Sequence, residues 1–185
     1  MVERGIIKEE EQELYQFGIR NGMILLLNVV TALVIGLLTE QLAVVAVFTL
    51  SFMVLRSYTG GYHSDSRVFC YLGSNLVLLV PVYTQAVFYK TSLAWLLAVL
   101  LVSAGIIFLL SPMHSKNRKL DKEEQKHFGR KARLIAALEL AVLGILWHAG
   151  QIPYAYAVYT GICITALFML VGKAQLWIQS HTENG

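Results

Sequence analysis

The sequence predicts an all-α polytopic membrane protein with about six transmembrane helices, forming a single integral membrane domain over residues 1–185. The first observation is composition: 56% of the 185 residues are hydrophobic and only 15% are charged. Soluble globular domains carry about 25% charged residues. The second observation is that long apolar segments replace the missing charge, which is typical of membrane proteins. The third is an asymmetric distribution of basic residues between the two sides of the predicted bundle.

Six apolar segments follow one another along the chain. They are residues 23–38, 42–55, 68–88, 91–110, 134–149 and 152–171. A transmembrane helix needs roughly 20 apolar residues. The third, fourth and sixth segments meet this length, the first and fifth are slightly short, and the second is the weakest, consistent with a partial or tilted span. Because backbone polar groups in lipid must be satisfied internally, we expect all six to be helices.

The basic residues support the count of six spans. With six spans, the N-terminal tail, the loops 56–67 and 111–133, and the C-terminal tail share one side of the membrane. All but one of the 15 Lys and Arg residues fall on that side, and the exception is Lys90. This strong positive-inside signal places both termini and both longer loops in the cytoplasm.

The two termini differ in character. Residues 1–20 are rich in Glu, Lys and Arg and lack the apolar core of a secretory signal peptide, so we expect the first apolar segment to remain as an anchor. Two alternatives stand for this N-terminal segment: an amphipathic helix on the membrane surface, and a frayed acidic tail. Residues 172–185 form the predicted C-terminal tail.

The loop 111–133 is the most basic part of the chain. Pro112 is predicted to end the fourth span, and the run 121–133 looks helical, with charge on most faces. One interpretation is topological, with basic residues holding the loop in the cytoplasm against anionic lipid. The other is a docking surface for an acidic peptide. The two interpretations are compatible.

The residues that indicate a catalytic function lie in the stretch 56–70, between the second and third spans. Gly60 and Gly61 permit a positive φ or a close backbone approach. Ser64, Asp65 and Ser66 favour the start of a helix, which would place Cys70 in its first or second turn. Free amides at a helix start lower the pKa of a thiol and can bind an oxyanion.

His63 is the predicted general base for a Cys70 nucleophile. On one continuous helix, seven residues would separate the two Cα atoms by about 10.5 Å along the axis. The pair therefore requires a break in the helix between His63 and Cys70. The second cysteine, Cys163, lies deep in the sixth apolar segment and is interpreted as an apolar filler.

Several side chains are candidates for supporting this pair. Asp65 and Asn75 are local candidates for orienting His63, and Glu139 in the fifth apolar segment is a distant one. The alternative for Glu139 is an ion pair with Arg133 or another base of the loop. A metal site built from residues 63, 65, 70 and 114 or 127 fits no compact zinc pattern, so we predict no metal and no cofactor.

The residues Arg56, Gly60-Gly61-Tyr62-His63 and Cys70 resemble the active-site signature of the accessory gene regulator B family, bacterial membrane endopeptidases that process quorum-sensing propeptides. The resemblance covers the whole chain, including the Pro-containing basic loop. His114 stands where the family often has an acidic residue, so the resemblance assigns this loop no detailed role.

The resemblance implies that Cys70 is the nucleophile, His63 its base, and that Arg56 and Gly61 support activity. It implies a substrate propeptide with an internal Cys or Ser and an acidic C-terminal tail, a thiolactone or lactone product, and a homodimer in the bacterial cell membrane. No nucleic-acid partner is expected. The alternative function is a small transporter or peptide export component without proteolytic activity.

Overall fold

The computed structural model describes residues 12–60, 67–113 and 122–182. Within these ranges the chain is entirely helical apart from short connections, with seven helices and no strand, which confirms the predicted fold class. The helices are α1 (Gln12–Leu38), α2 (Leu42–Thr59), α3 (Arg67–Tyr83), α4 (Gln85–Lys90), α5 (Leu93–Leu110), α6 (Lys122–His148) and α7 (Ile152–Thr182).

Each predicted apolar segment lies on a helix, but the third is divided between α3 and α4. Pro81 lies inside α3, where it lacks the N–H for a helical hydrogen bond. The Thr84 hydroxyl donates to the carbonyl of Val80 at 2.8 Å, a back-bond that tends to bend helices. The expectation of one continuous third span is therefore corrected to a helix, a bend at Thr84 and a short second helix.

Three described helices are long and apolar enough to cross a membrane. They are the segments Leu42–Thr59, Leu93–Leu110 and Ile152–Ile178. The second apolar segment, predicted to be the weakest, is thus among the strongest. The apolar stretches Gly22–Leu38 and Gly73–Tyr83 are shorter helices. The six-span topology with both termini in the cytoplasm stays a prediction.

Three helices extend beyond the predicted apolar segments. Helix α1 already includes Gln12, so the described part of the N-terminal segment continues into the first apolar segment without a break. Helix α6 joins the charged run after residue 121 to the fifth apolar segment, and this charged run is helical as predicted. Helix α7 continues to Thr182, so most of the predicted C-terminal tail is helical. Residues 1–11 lie outside the described residues.

Large apolar side chains are exposed on the outer faces of the bundle. Leu38 is 80% exposed and Leu109 is 82% exposed, and similar residues line α1 and α5. A soluble monomer rarely exposes such continuous apolar surface. In a lipid bilayer, exposed apolar side chains carry no hydrophobic penalty. The exposure is therefore consistent with the membrane-spanning lengths of three of the helices.

Helix α7 occupies the centre of the bundle and contributes to both apolar cores. One core joins Phe48, Leu78 and Phe88 to Tyr156, while the other joins Leu55 and Ile107 to α7. Phe48, Leu55 and Ile107 are all 0% exposed. Because α7 contacts α2, α5 and α6, it fixes the position of the helices that frame the candidate site.

Contacts between helices give their relative directions. The end of α2, the end of α5 and the start of α6 meet where Gly60 and Gly129 contact residues 111–113. We call this the Gly60 end of the bundle. At the other end, the Tyr156 hydroxyl lies 3.5 Å from the carbonyl of Val80, which brings the last turn of α3 to the start of α7. Helix α3 therefore begins at the Gly60 end.

Candidate functional site

Gly60 ends helix α2 in a conformation that suits only glycine. Its φ is +72° and its ψ is −155°, and its N–H donates to the carbonyl of Arg56 at 3.2 Å. This region of backbone space is essentially restricted to glycine. The chain thus leaves α2 abruptly, immediately before residues 61–66.

A backbone contact joins the end of α2 to the segment that follows α5. The N–H of Met113 donates to the carbonyl of Thr59 at 2.9 Å. A Cβ added at Gly60 would lie 2.8 Å from the Met113 carbonyl oxygen. Both backbone conditions predicted for the glycine pair, a positive φ and a close backbone approach, are therefore met at Gly60. Gly61 lies outside the described residues.

Helix α6 contacts the same segment from the other side. A Cβ added at Gly129 would lie 3.0 Å from Cδ of Pro112 and 3.5 Å from the Ser111 carbonyl oxygen. The peptide bond between Ser111 and Pro112 is cis. Gly60 and Met113, the last described residues before 61–66 and 114–121, therefore touch each other. The described ends of the predicted catalytic stretch and of the predicted basic loop are thus adjacent.

Helix α3 begins at Arg67, which makes Cys70 its fourth residue. The first four N–H groups of a helix have no partner within it. Cys70 therefore belongs to the first turn, as the helix-start signals predicted, at the Gly60 end of the bundle. His63 and Asp65 lie outside the described residues, so the required break between His63 and Cys70 stays a prediction.

Arg56 is held against two aromatic rings. Its guanidinium carbon lies 4.7 Å from the ring centre of Phe168 on α7 and 5.9 Å from that of Phe52 on its own helix. The two rings lie 5.8 Å apart with a tilt of 60°. Attraction between a cation and an aromatic face restrains the half-buried side chain near the cytoplasmic mouth predicted for α2.

Glu139 contacts α2 rather than the loop base proposed as an alternative partner. Its carboxylate accepts a hydrogen bond of 2.7 Å from the Ser51 hydroxyl. Arg133 instead donates from Nε to the carbonyl of Phe108 at 3.1 Å. The expectation of an ion pair between Glu139 and Arg133 is therefore not met, because Arg133 is directed toward α5.

Ser51 also marks a close contact with α7. A Cβ added at Gly161 would overlap the Ser51 hydroxyl and lie 3.1 Å from its Cβ. Ser51 precedes Gly60 by nine residues, or about 13 Å of helix. The described role of Glu139 is thus to join α6 to α2 below the mouth, and its suggested contact with His63 stays a prediction.

Some of the remaining predicted candidates belong to the described residues and others do not. The side-chain oxygen of Asn75 on α3 is buried and has no hydrogen-bond partner. Within the described ranges, no group of three or more His, Cys, Asp or Glu side chains lies close enough to hold a metal ion. His63, Asp65 and His114 lie outside those ranges.

Several contacting residues were absent from the sequence-based candidates, among them Ser51, Phe52, Thr59, Met113 and Phe168. One signal was available for the aromatic contact, because Phe48, Phe52 and Arg56 recur at four-residue spacing and so share one face of α2. Phe48 and Phe52 are indeed stacked, with ring centres 5.9 Å apart. No comparable pattern identifies Phe168, which lies on a helix distant in sequence.

Comparison with known proteins gives a consistent result. The family model described as Accessory gene regulator B matches residues 1–170. The chain is 26% identical over 156 residues to the accessory gene regulator protein B of Staphylococcus intermedius, covering 82% of this chain and 80% of that protein.

Two proteins of Clostridium perfringens are also similar. The putative AgrB-like protein 2 of strain 13 and the putative AgrB-like protein of strain SM101 are each 24% identical over 131 residues, or 68% of this chain. The matches span 61% of the length of these two relatives. No solved structure matches. Because the family model covers most of the chain, the chain belongs to the accessory gene regulator B family.

Proposed function

We propose that this protein is a membrane cysteine endopeptidase that cleaves a small quorum-sensing propeptide on the C-terminal side of the signal sequence and promotes ring closure of the product. The observation that carries the proposal is the position of Cys70 in the first turn of α3, at the same end of the bundle as Gly60, which precedes His63 by three residues. Membership of the accessory gene regulator B family supports it.

In the first step, the Cys70 thiolate attacks the carbonyl carbon of the scissile peptide bond. His63 accepts the thiol proton and later donates it to the nitrogen of the departing C-terminal fragment. Unpaired amides in the first turn of α3 supply donors for the oxyanion. The C–N bond breaks, and the N-terminal part of the propeptide remains as a thioester on Cys70.

In the second step, an internal cysteine thiolate of the propeptide attacks the thioester carbonyl. A new C–S bond forms, the bond to Cys70 breaks, and the Cys70 thiolate is regenerated. One thioester replaces another, so little driving force is needed. An internal serine would give a lactone instead. Exclusion of water favours ring closure over hydrolysis, and a site between apolar helices offers that exclusion.

The supporting residues have distinct roles in this proposal. Arg56 binds carboxylates or carbonyls of the propeptide, since a guanidinium can form paired hydrogen bonds with a carboxylate. Gly60 and Gly61 shape the loop, and Asp65 orients His63. Glu139 supports the site through its bond to Ser51 on α2. The protein acts as a homodimer in the bacterial cell membrane, with both termini cytoplasmic and basic residues against anionic lipid.

The test is coexpression with a candidate propeptide that has an internal cysteine and an acidic C-terminal tail. Cys70→Ala and His63→Ala are each expected to abolish cleavage, observed as a mass change of the peptide. The matched control is Cys163→Ser, which removes the other cysteine and is expected to leave cleavage intact. Cleavage by the Cys70→Ala variant would refute the protease mechanism. Export of uncleaved peptide by the wild type would favour the transporter alternative.

A further inference from the structure

We propose that the apolar cavity between α4, α5, α6 and α7 holds an acyl chain of a membrane phospholipid whose phosphate group is bound by Lys90. The cavity lies at the end of the bundle opposite Gly60, so this lipid site is separate from the candidate catalytic residues. The inference does not depend on the function proposed above.

The cavity is elongated along helix α5. Its volume is about 260 Å³, and α5 lines it from Leu93 to Leu100. Seven residues of a helix span about 10.5 Å along the axis. Helix α6 closes the cavity with Gly144 and Trp147, and Phe88 comes from α4. A cavity of this volume spread over that length is narrow, as an extended hydrocarbon chain requires.

The walls of the cavity are almost entirely hydrocarbon and aromatic. Among the lining residues, only Trp147 and Tyr159 carry a polar side-chain atom. A trapped water needs about two to four polar partners, and apolar cavities of about 150 Å³ stay dry and take up small hydrocarbons. An empty cavity also deprives its lining atoms of dispersion contacts. A hydrocarbon occupant is therefore favoured over both water and a void.

Packed aromatic rings hold one wall of the cavity in place. The ring centre of Phe88 lies 5.3 Å from that of Tyr159 and 6.2 Å from that of Trp147. Phe88 is buried in the apolar core that contains Tyr156. Closure of the cavity from this side would require these core contacts to move, so an occupant fills the space at less cost than collapse does.

The cavity is accessible from the surface that faces lipid. Leu93 is 53% exposed and Leu97 is 48% exposed, although both also line the cavity. Helix α5 is long and apolar enough to cross a membrane, so the medium around it is acyl chain rather than water. Lipid tails are as apolar as leucine, so packing and headgroup contacts decide whether a chain stays in the cavity.

A basic residue lies beside the cavity at the level expected for lipid headgroups. Lys90 ends α4, two residues after Phe88 and three before Leu93, and both of these line the cavity. Its side chain is exposed, and it is the only Lys or Arg between residues 68 and 115. The neighbouring Trp95 is also exposed, and tryptophan is enriched at the interface where headgroups lie. The ammonium of Lys90 therefore complements a lipid phosphate at this position.

The experiment uses Trp147 as an internal reporter. In the full chain, Trp95→Phe and Trp177→Phe leave Trp147 as the one remaining tryptophan of the three in the sequence. The protein is purified in detergent and titrated with a phospholipid whose acyl chains carry bromine, which quenches tryptophan fluorescence on contact. A parallel titration uses a diacylglycerol with the same brominated chains and no phosphate.

Two substitutions in this background test the two parts of the site. Gly144→Leu fills the cavity, since nothing lies within 4 Å of an added Cβ there. Its control is Gly105→Leu, on α5 outside the cavity, where an added Cβ also meets nothing within 4 Å. Lys90→Gln removes the charge from an exposed side chain, so it tests the headgroup contact even if Gly144→Leu fails to fold.

We expect quenching in the parent protein to saturate with phospholipid. Gly144→Leu should raise the half-saturating concentration about tenfold, the effect of overpacking an occupied site, and Gly105→Leu should leave it unchanged. Lys90→Gln should raise it about fivefold for the phospholipid, the contribution of one basic residue at a membrane surface. For the diacylglycerol, Lys90→Gln should have no effect.

Different results would overturn the proposal. Quenching that rises without saturation, and equally in Gly144→Leu, would indicate ordinary contact with the surrounding lipid. An equal effect of Lys90→Gln on both lipids, or no effect on either, would refute the phosphate contact. A change in oligomeric mass by light scattering in Gly144→Leu, with no change in the titration, would show that a second copy of the chain fills the cavity instead.

Discussion

Replacement of Gly60 by Ala tests whether the abrupt end of α2 controls the proposed catalytic activity. The φ of +72° and ψ of −155° place this residue where a Cβ costs about 1–3 kcal/mol. The new Cβ would also lie 2.8 Å from the Met113 carbonyl oxygen, a backbone atom that cannot rotate away. Relief of that contact requires the end of α2 to separate from residue 113, weakening the hydrogen bond that joins them.

Gly150 provides a matched control, because its φ is also +72° but no atom lies within 4 Å of an added Cβ. We expect Gly150→Ala to lower stability by the backbone cost alone, about 1 kcal/mol. If the backbone strain and the contact with Met113 combine, Gly60→Ala should lower the unfolding free energy by about 2–4 kcal/mol. If the backbone moves to relieve them, the end of α2 should be displaced instead.

The assays are thermal unfolding in detergent and the rate of peptide cleavage. We expect the cleavage rate of Gly60→Ala to fall more than tenfold. An increase of about 1.4 kcal/mol in the activation free energy slows a reaction about tenfold. Gly150→Ala should cleave at nearly the wild-type rate. Wild-type stability together with wild-type cleavage in Gly60→Ala would refute the role assigned to the contact with Met113.

Two further substitutions test the polar contact among α2, α6 and α7. Ser51→Ala removes the donor to the half-buried Glu139 carboxylate and should lower the unfolding free energy by about 1–2 kcal/mol; Ser57→Ala, which loses only a bond within α2, should be nearly neutral in the same denaturation assay. Gly161→Ala should cost about 1–3 kcal/mol through overlap with Ser51, whereas Gly144→Ala, with open space around it, should not destabilise. In the Ser51→Ala background, Gly161→Ala should cost less than it does alone, because the overlapping hydroxyl is gone; strictly additive effects would contradict this geometry.

Local sequence signals were sufficient for the helices. The apolar segments and the helix-start residues before Arg67 identified every described helix except the separate α4. Pro81 was visible in the sequence, but a proline bends some helices and ends others, so the division at Thr84 depended on tertiary contacts such as the bond between Thr84 and Tyr156. The continuity of α6 across the charged run and the fifth apolar segment, and the extension of α7 into the predicted tail, were not predicted, because polar residues can extend a helix beyond its apolar region.

Fewer contacts of the candidate site could be predicted from the sequence. The requirement for a glycine at position 60 followed from the Gly-Gly pair, but its neighbour Met113 is distant in sequence, and no local pattern links them. Glu139 was identified as an unusual charge in an apolar segment, yet its partner Ser51 is one of many small polar residues. Pairings between helices depend on how the helices pack, which a single sequence does not specify.

The hydrogen bond between Thr59 and Met113 keeps the end of α2 and the end of the segment after α5 next to each other. A probe attached at Met113 would therefore report on displacement of the end of α2, although the two are distant in sequence. The same attachment gives the predicted basic segment a fixed starting position relative to the end of α2. A change that breaks this single bond would consequently displace the starting points of both segments at once.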